Sequence, residues 1–178
     1  LFKSKRDTTI LTSECFSLSG KNILFDNNNN LIRSNDPAIL NDLENNIIYL
    51  ENFEYSTNNN FFKSTGNIEI KDSKNNSYNF SQIYIDEKKR EIIGADIKAF
   101  INQDSFKIDE RNKPRVFANT VKIDENESEF TKSIFTLCDH RKNDKCPPWS
   151  LQASKMSHDK KTKTIFYDNA VLKVYDLP

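Results

Sequence analysis

The sequence predicts an all-β protein, built as an antiparallel β-jelly roll or a splayed β-sandwich. Three observations predict it. Apolar and polar residues alternate with period two in several short runs, as half-buried strands require. A pattern recurs five times: an apolar residue, an Asp three positions later, and an apolar residue six beyond that Asp. Glycine numbers only three in 178 residues, and asparagine clusters stand between the runs where turns are needed. Asn tolerates positive φ better than other non-glycine residues, so such clusters build hairpin turns.

Taken in order, Leu1 to Asp7 is basic and reads as a frayed end. Glu14-Cys15-Phe16-Ser17-Leu18 alternates, with Cys15 as a small buried side chain rather than a working thiol. Ile23, Asp26 and Ile32 give the first copy of the Asp pattern. Asp36 to Glu44 carries helix signals: an N-capping Asp36, Pro37 at the first helical position, and Leu40 and Leu43 at helical spacing. The second copy of the pattern, Ile39, Asp42 and Ile48, overlaps it and favours a strand. The remaining copies are Ile83, Asp86, Ile92; Val121, Asp124, Phe130; and Met156, Asp159, Ile165. An Asp carboxylate accepts hydrogen bonds from the amides that follow it and so starts a turn. The spacing between copies is irregular, which argues against a strict repeat.

Between the turns, Ile68 and Ile70 share a face. Alternation places Ile93, Ala95, Ile97, Ala99 and Ile101 on one face, opposite Asp96 and Lys98. It places Phe117, Val121 and Ile123 together, and Ala170, Leu172 and Val174 together. Gln103 to Arg115 is charged and reads as a loop or hairpin tip. No shift in composition divides the chain, so one domain is expected over residues 1–178.

The net charge is zero, so no basic stripe exists for phosphate contacts and nucleic acid is not an expected partner. Aromatic residues make up 11%, more than a disordered chain carries. No run of about 18 apolar residues is present, so no membrane-spanning helix is expected. Chemistry is sparse. Three glycines cannot form a phosphate loop. Cys138 and His140 lack an evident third catalytic partner. A zinc site from Cys138, His140 and Cys146 needs Asp139 or His158 as its fourth ligand. His158 itself reads as a turn residue, and Trp149, after Pro147-Pro148, as a packed plug. No cofactor and no catalytic residue are expected.

The last forty residues are the most distinctive. Cys138, Cys146, Pro148, Trp149, Leu151, Ala153, His158, Asp159, Tyr167, Asn169, Ala170 and Pro178 stand in an order and spacing that resembles one family. It is the LptD family of lipopolysaccharide-assembly proteins, at the end of its OstA-like periplasmic domain. The earlier strands resemble the same fold in LptA and LptC only in general pattern. The resemblance implies a V-shaped jelly roll at the periplasmic face of the outer membrane, and no enzymatic step. Such a domain receives lipopolysaccharide from an LptA-like bridge by edge-strand stacking. It passes the lipid to an outer-membrane barrel plugged by an LptE-like lipoprotein. The chain would then be the N-terminal fragment of a longer protein whose barrel is absent here. Ile68, Ile70, Ile93, Ile97, Phe117, Val121, Leu172 and Val174 are the expected lining for the lipid's acyl chains. Cysteines of this family's domain bridge to others near the end of the barrel, so Cys138 is expected to pair with Cys146 or with a cysteine outside this chain. Two other expectations compete: a non-enzymatic protein- or glycan-binding sandwich with a closed core, and an enzyme on the same scaffold.

Overall fold

The computed structural model describes residues 2–11, 16–43, 45–102, 112–138 and 147–175. Its secondary structure is strand, with no helix among these residues. The strands are β1 (Phe2–Lys3), β2 (Thr8–Leu11), β3 (Ser17–Gly20), β4 (Leu24–Asp26), β5 (Leu31–Ser34), β6 (Ala38–Asn41), β7 (Ile47–Leu50) and β8 (Phe53–Ser56). Six long ones follow: β9 (Phe61–Lys71), β10 (Ser77–Asp86), β11 (Glu91–Phe100), β12 (Arg115–Ile123), β13 (Glu127–Thr136) and β14 (Trp149–Asp159). Two short ones end the chain, β15 (Thr164–Asp168) and β16 (Val171–Val174). All pair antiparallel in one hydrogen-bonded sheet. The all-β class is as expected. The segment with helix signals is strand β6, where Ala38 and Leu40 are buried and Ile39 is exposed.

The sheet forks at both ends. β9 pairs β8 through Phe61–Lys63 and β7 through Glu69–Lys71. One leaf therefore runs β1-β4-β5-β8 into the first half of β9, and a second runs β2-β3-β6-β7 into its second half. At the far end β14 pairs β15 through Lys155–Asp159 and β16 through Trp149–Gln152. The long strands between the forks cross from one leaf to the other, and each crossing is marked. Gly66 has φ +98°, Asp96 +52° and Lys132 +47°. The β9–β10 register shifts between Phe80 and Gln82. Pairing of β11 with β12 passes from Ala95–Thr120 to Ile97–Ala118, and that of β12 with β13 from Thr120–Thr131 to Phe117–Ile134. Ser81 Oγ donates to Asp96 Oδ2 at 2.6 Å along the same seam. Bulges and left-handed residues bend a strand and let a sheet fold over.

Both leaves feed a single core. Leu18, Leu40, Ile48 and Ile68 come from the second leaf, and Ile23, Phe53, Phe62, Ile83 and Val121 from the first. The core is an inner space between two leaves of one folded sheet, which is jelly-roll-like packing.

The turns explain the recurring Asp. Asp26 accepts from the amides of Asn28 and Asn29, Asp86 from Lys89, Asp124 from Asn126 and Glu127, and Asp159 from Lys161 and Thr162. Asp42 accepts from the amide of Asn46 at 2.9 Å. Each of the five expected turns is closed this way. The spacing is more regular than the Asp pattern suggests. Asn30, Asn60 and Arg90 stand thirty residues apart, at φ of 51–53°, each ending a turn on the same leaf. Asn45 and Asn75, also thirty apart, have φ of 62° and 61° and end turns at the opposite side. Part of the irregularity arises because Asp26 and Asp86 belong to one turn series and Asp42 to the other; Asp124 and Asp159 close later turns of the first leaf, 38 and 35 residues further on. Ser56 replaces Asp in one series, and Asp72 lacks the upstream apolar residue in the other. Successive turns also bond to each other. The Thr57 amide donates to the Asn30 carbonyl at 2.9 Å and the Glu87 amide to that of Asn60 at 3.0 Å.

These caps carry a pH dependence. Hydrogen bonds to the charged carboxylate hold Asp26, Asp86, Asp124 and Asp159 below the ordinary Asp value, through the Asn29 side chain first for Asp26 and backbone amides first for the others. A depressed folded-state pKa gives stability that is complete above the unfolded value and lost as pH falls through the folded one. The urea midpoint is therefore expected to hold between pH 7 and 5 and to fall below about pH 4. A triple Asp86→Asn, Asp124→Asn, Asp159→Asn variant keeps acceptor oxygens that do not titrate, and should decline less steeply. Equal acid slopes in the two proteins would show that these turns are not the source.

Candidate lipid-binding mouth

The inner face can be followed strand by strand from core to edge. In the first leaf, Val121, Phe130, Met156 and Tyr167 are directly opposite one another across β12 to β15. Ile123, Ser128, His158 and Ile165 form the neighbouring row. In the second leaf, Val116, Phe135, Leu151 and Leu172 align from β12 to β16, with Trp149 opposite Val174. Directly paired residues share a face, so all of these continue the face that holds the core. Phe135 and Trp149 meet edge to face, with ring centroids 6.1 Å apart.

Burial falls away along these rows. Val121 is 1% exposed and Met156 4%, but Ile165 is 44%, Val174 46% and Leu172 55%. The reason is topological. β15 and β16 are the last strands of their leaves, and nothing among the described residues pairs beyond them. Single exposed apolar residues are ordinary, but a contiguous set on two neighbouring edge strands marks a contact site. Phe166 and Val171 are exposed on the other face of the same strands, at 57% and 42%. The Tyr167 hydroxyl is pushed above its usual pKa by burial and stays neutral at physiological pH.

The eight expected lining residues divide into three sets. Ile68, Ile97 and Val121 are closed core, at 0%, 2% and 1% exposed, and Ile70 packs against that core. Ile93 and Phe117 lie on the outer face, a correction to strict alternation. The left-handed Asp96 shifts β11 so that Gly94 and Ile97, three apart, both point inward and Ile93 outward. Ala118 and Val121, also three apart, both point inward across the β12 seam, and Phe117 instead meets Phe100 on the outside with centroids 6.3 Å apart. Leu172 and Val174 stand at the open mouth, inward-facing and exposed. Phe130, Phe135, Leu151, Ile165 and Tyr167 complete the mouth and were not among the expected residues. Their alternation is visible in the sequence, but their position next to a sheet edge is not.

The cysteine and histidine expectations fall mostly outside the described residues, where Cys15, Asp139, His140 and Cys146 lie. Cys138 is a half-buried free thiol whose amide donates to Thr136 Oγ1 at 3.1 Å. His158 is a strand residue before the turn, paired with Ser128 and Ile165. Among the described residues, no group of three or more His, Cys, Asp or Glu is arranged to hold a metal.

Fold and mouth together define a class: a two-leaved antiparallel β-domain with a closed core at its centre and an apolar inner face open at its C-terminal edge. No protein-family model matches the chain, and no curated protein is significantly similar to it.

Proposed function

We propose that the domain is a lipid-transfer domain that takes lipopolysaccharide acyl chains into its C-terminal mouth, on the route to the outer membrane. One observation carries this: Leu172 and Val174 belong to the same inner face as the buried core, yet are about half exposed. Exposed methylenes cost about 0.8 kcal/mol each in water, so an acyl chain and an open apolar face stabilise one another. The resemblance of Cys138 to Pro178 to the LptD family supplies the lipid's identity and the setting: the periplasmic face of the outer membrane, an LptA-like bridge, and a barrel with an LptE-like lipoprotein. On this reading the domain binds and passes on its cargo, with no bond made or broken.

The test is photo-cross-linking in cells with a photoreactive side chain at Leu172, and at Lys173 as the opposite-face control. Adducts that react with an anti-lipopolysaccharide blot are expected at Leu172 and not at Lys173. Equal labelling at both sites, or none at Leu172, would defeat the proposal. A second reading is strand addition by a protein partner on β15 and β16. It is favoured by Phe166 and Val171, which make the outer face of that edge apolar as well. A protein adduct at Phe166 without lipid at Leu172 would select it.

A further inference from the structure

The two outer faces of the folded sheet differ in charge, although the chain as a whole is neutral. On the first leaf, cations stand beside carboxylates: Lys63 with Glu54 at 2.7 Å, Lys122 with Glu91 at 2.8 Å and Lys155 with Glu129 at 2.7 Å. On the second leaf, one outer row runs through Lys71, Ser77, Phe100 and Arg115, each directly opposite the next. Its neighbour runs through Glu69, Asn79, Lys98 and Phe117. These rows hold three cations, Lys71, Lys98 and Arg115, against the one carboxylate of Glu69, which pairs with Lys71 at 3.4 Å.

A cavity of about 460 Å³ opens at the end of the first row. Ser77, Phe100 and Arg115 line it from three adjacent strands, and Asn75, Asn102 and Lys113 from the ends of those strands. Its volume falls in the range of small-molecule sites, about 300–1,000 Å³. None of the described lining residues is acidic, and two are cationic. The carboxylate of the adjoining turn is engaged: Asp72 accepts from the amides of Lys74 and Asn76, from the Asn76 side chain and from the Tyr78 hydroxyl. The lining is fixed in place by its own bonds. The Asn102 amide donates to Asn76 Oδ1 at 2.7 Å, and Asn102 Nδ2 to the Lys74 carbonyl at 3.0 Å. The Lys113 amide donates to the Leu137 carbonyl at 2.7 Å. The Arg115 guanidinium lies 5.6 Å from the centroid of the Phe100 ring, which remains 38% exposed.

We infer that this cavity binds a phosphate monoester carried on a sugar-like ring. A phosphate monoester has close to two negative charges at neutral pH, matching the two cations of the lining. Arg115 presents a planar fork to two phosphate oxygens, and Lys113 a mobile point charge. The cavity is larger than the phosphate group alone fills. The apolar face of the ring packs on the exposed part of Phe100, and the side-chain amides of Asn75 and Asn102 meet its hydroxyls. The site is on the outside of the sheet and does not depend on the lipid-transfer reading. The same group occurs on soluble sugar phosphates and on phosphorylated lipid head groups, and the test separates these sources.

The full chain is titrated with glucose 1-phosphate and with glucose, in low salt, by isothermal titration calorimetry. It is also sedimented with phosphatidylcholine vesicles, with and without a tenth of phosphatidylinositol 4-phosphate. Binding is expected in at least one arm, and only where the phosphate is present. Lys113→Gln changes an exposed side chain and should keep the fold, which circular dichroism checks. It should weaken binding about tenfold or more, the scale of a lost charge-assisted hydrogen bond. Arg115→Gln should do the same, and Lys63→Gln, on the other outer face, should change nothing. A response to glucose 1-phosphate alone identifies a soluble sugar phosphate, and a response to the vesicles alone identifies a lipid head group. No phosphate-dependent binding in either arm, or equal binding by folded Lys113→Gln and wild type, overturns the site.

Discussion

Replacing Ile97 with aspartate is expected to unfold the domain. Ile97 is 2% exposed, directly opposite Ala118 and inside the common core. The substitution forfeits about 1.5–3 kcal/mol of side-chain burial. It also buries a carboxylate inside a cluster of apolar side chains, a cost of several kcal/mol more whether the group stays charged or takes up a proton. The sum, above about 4–5 kcal/mol, approaches the whole stability of a domain this size, about 5–15 kcal/mol. Lys98→Asp, one residue away on the exposed face, should change stability by about 0.5 kcal/mol or less. Urea denaturation of both variants measures this. A cooperative Ile97→Asp transition near the wild-type midpoint would mean that position 97 faces solvent in an open groove.

That outcome matters because period-two alternation alone puts Ile97 and Ile93 on the same wall. Alternation holds within each leaf, and there the sequence reports faces faithfully: Ile68 with Ile70, Leu172 with Val174. It fails at the seam, because a one-residue slip in a strand exchanges its faces. The slip has a faint signature. Gly66 and Asp96, both with positive φ, stand thirty residues apart, in step with Asn30, Asn60 and Arg90. Asp is among the few residues that tolerate that conformation inside a strand. The turns were more legible, since one carboxylate fixes one turn through local bonds and needs no knowledge of the rest of the fold. The mouth was the least legible. Ile165 and Leu172 look like any inward strand residue, and only the order of the strands in the sheet makes them exposed.

Gly94→Val tests how the two leaves meet. The new Cβ would fall within 2.5–2.6 Å of the Phe80 ring, and Val121 at 3.3 Å limits escape to the other side. φ is not the obstacle, because Gly94 does not lie in the left-handed region. Strand propensity favours valine over glycine by up to about 1 kcal/mol, so any loss must come from overpacking. Overpacking costs about 1–3 kcal/mol in a core that can adjust and more where it cannot. The ring here is held between both leaves, and a net loss of about 3 kcal/mol is expected. Phe80→Ala alone should cost about 3–5 kcal/mol through the cavity it leaves. The two changes are complementary in volume, so the double variant should be more stable than the sum of the two losses by about 1–3 kcal/mol, the range seen for residues in contact. Urea midpoints of the four proteins close the cycle. Additive losses would show that the absence of a side chain at position 94 serves something other than the Phe80 ring, and that the leaves are held apart by other contacts.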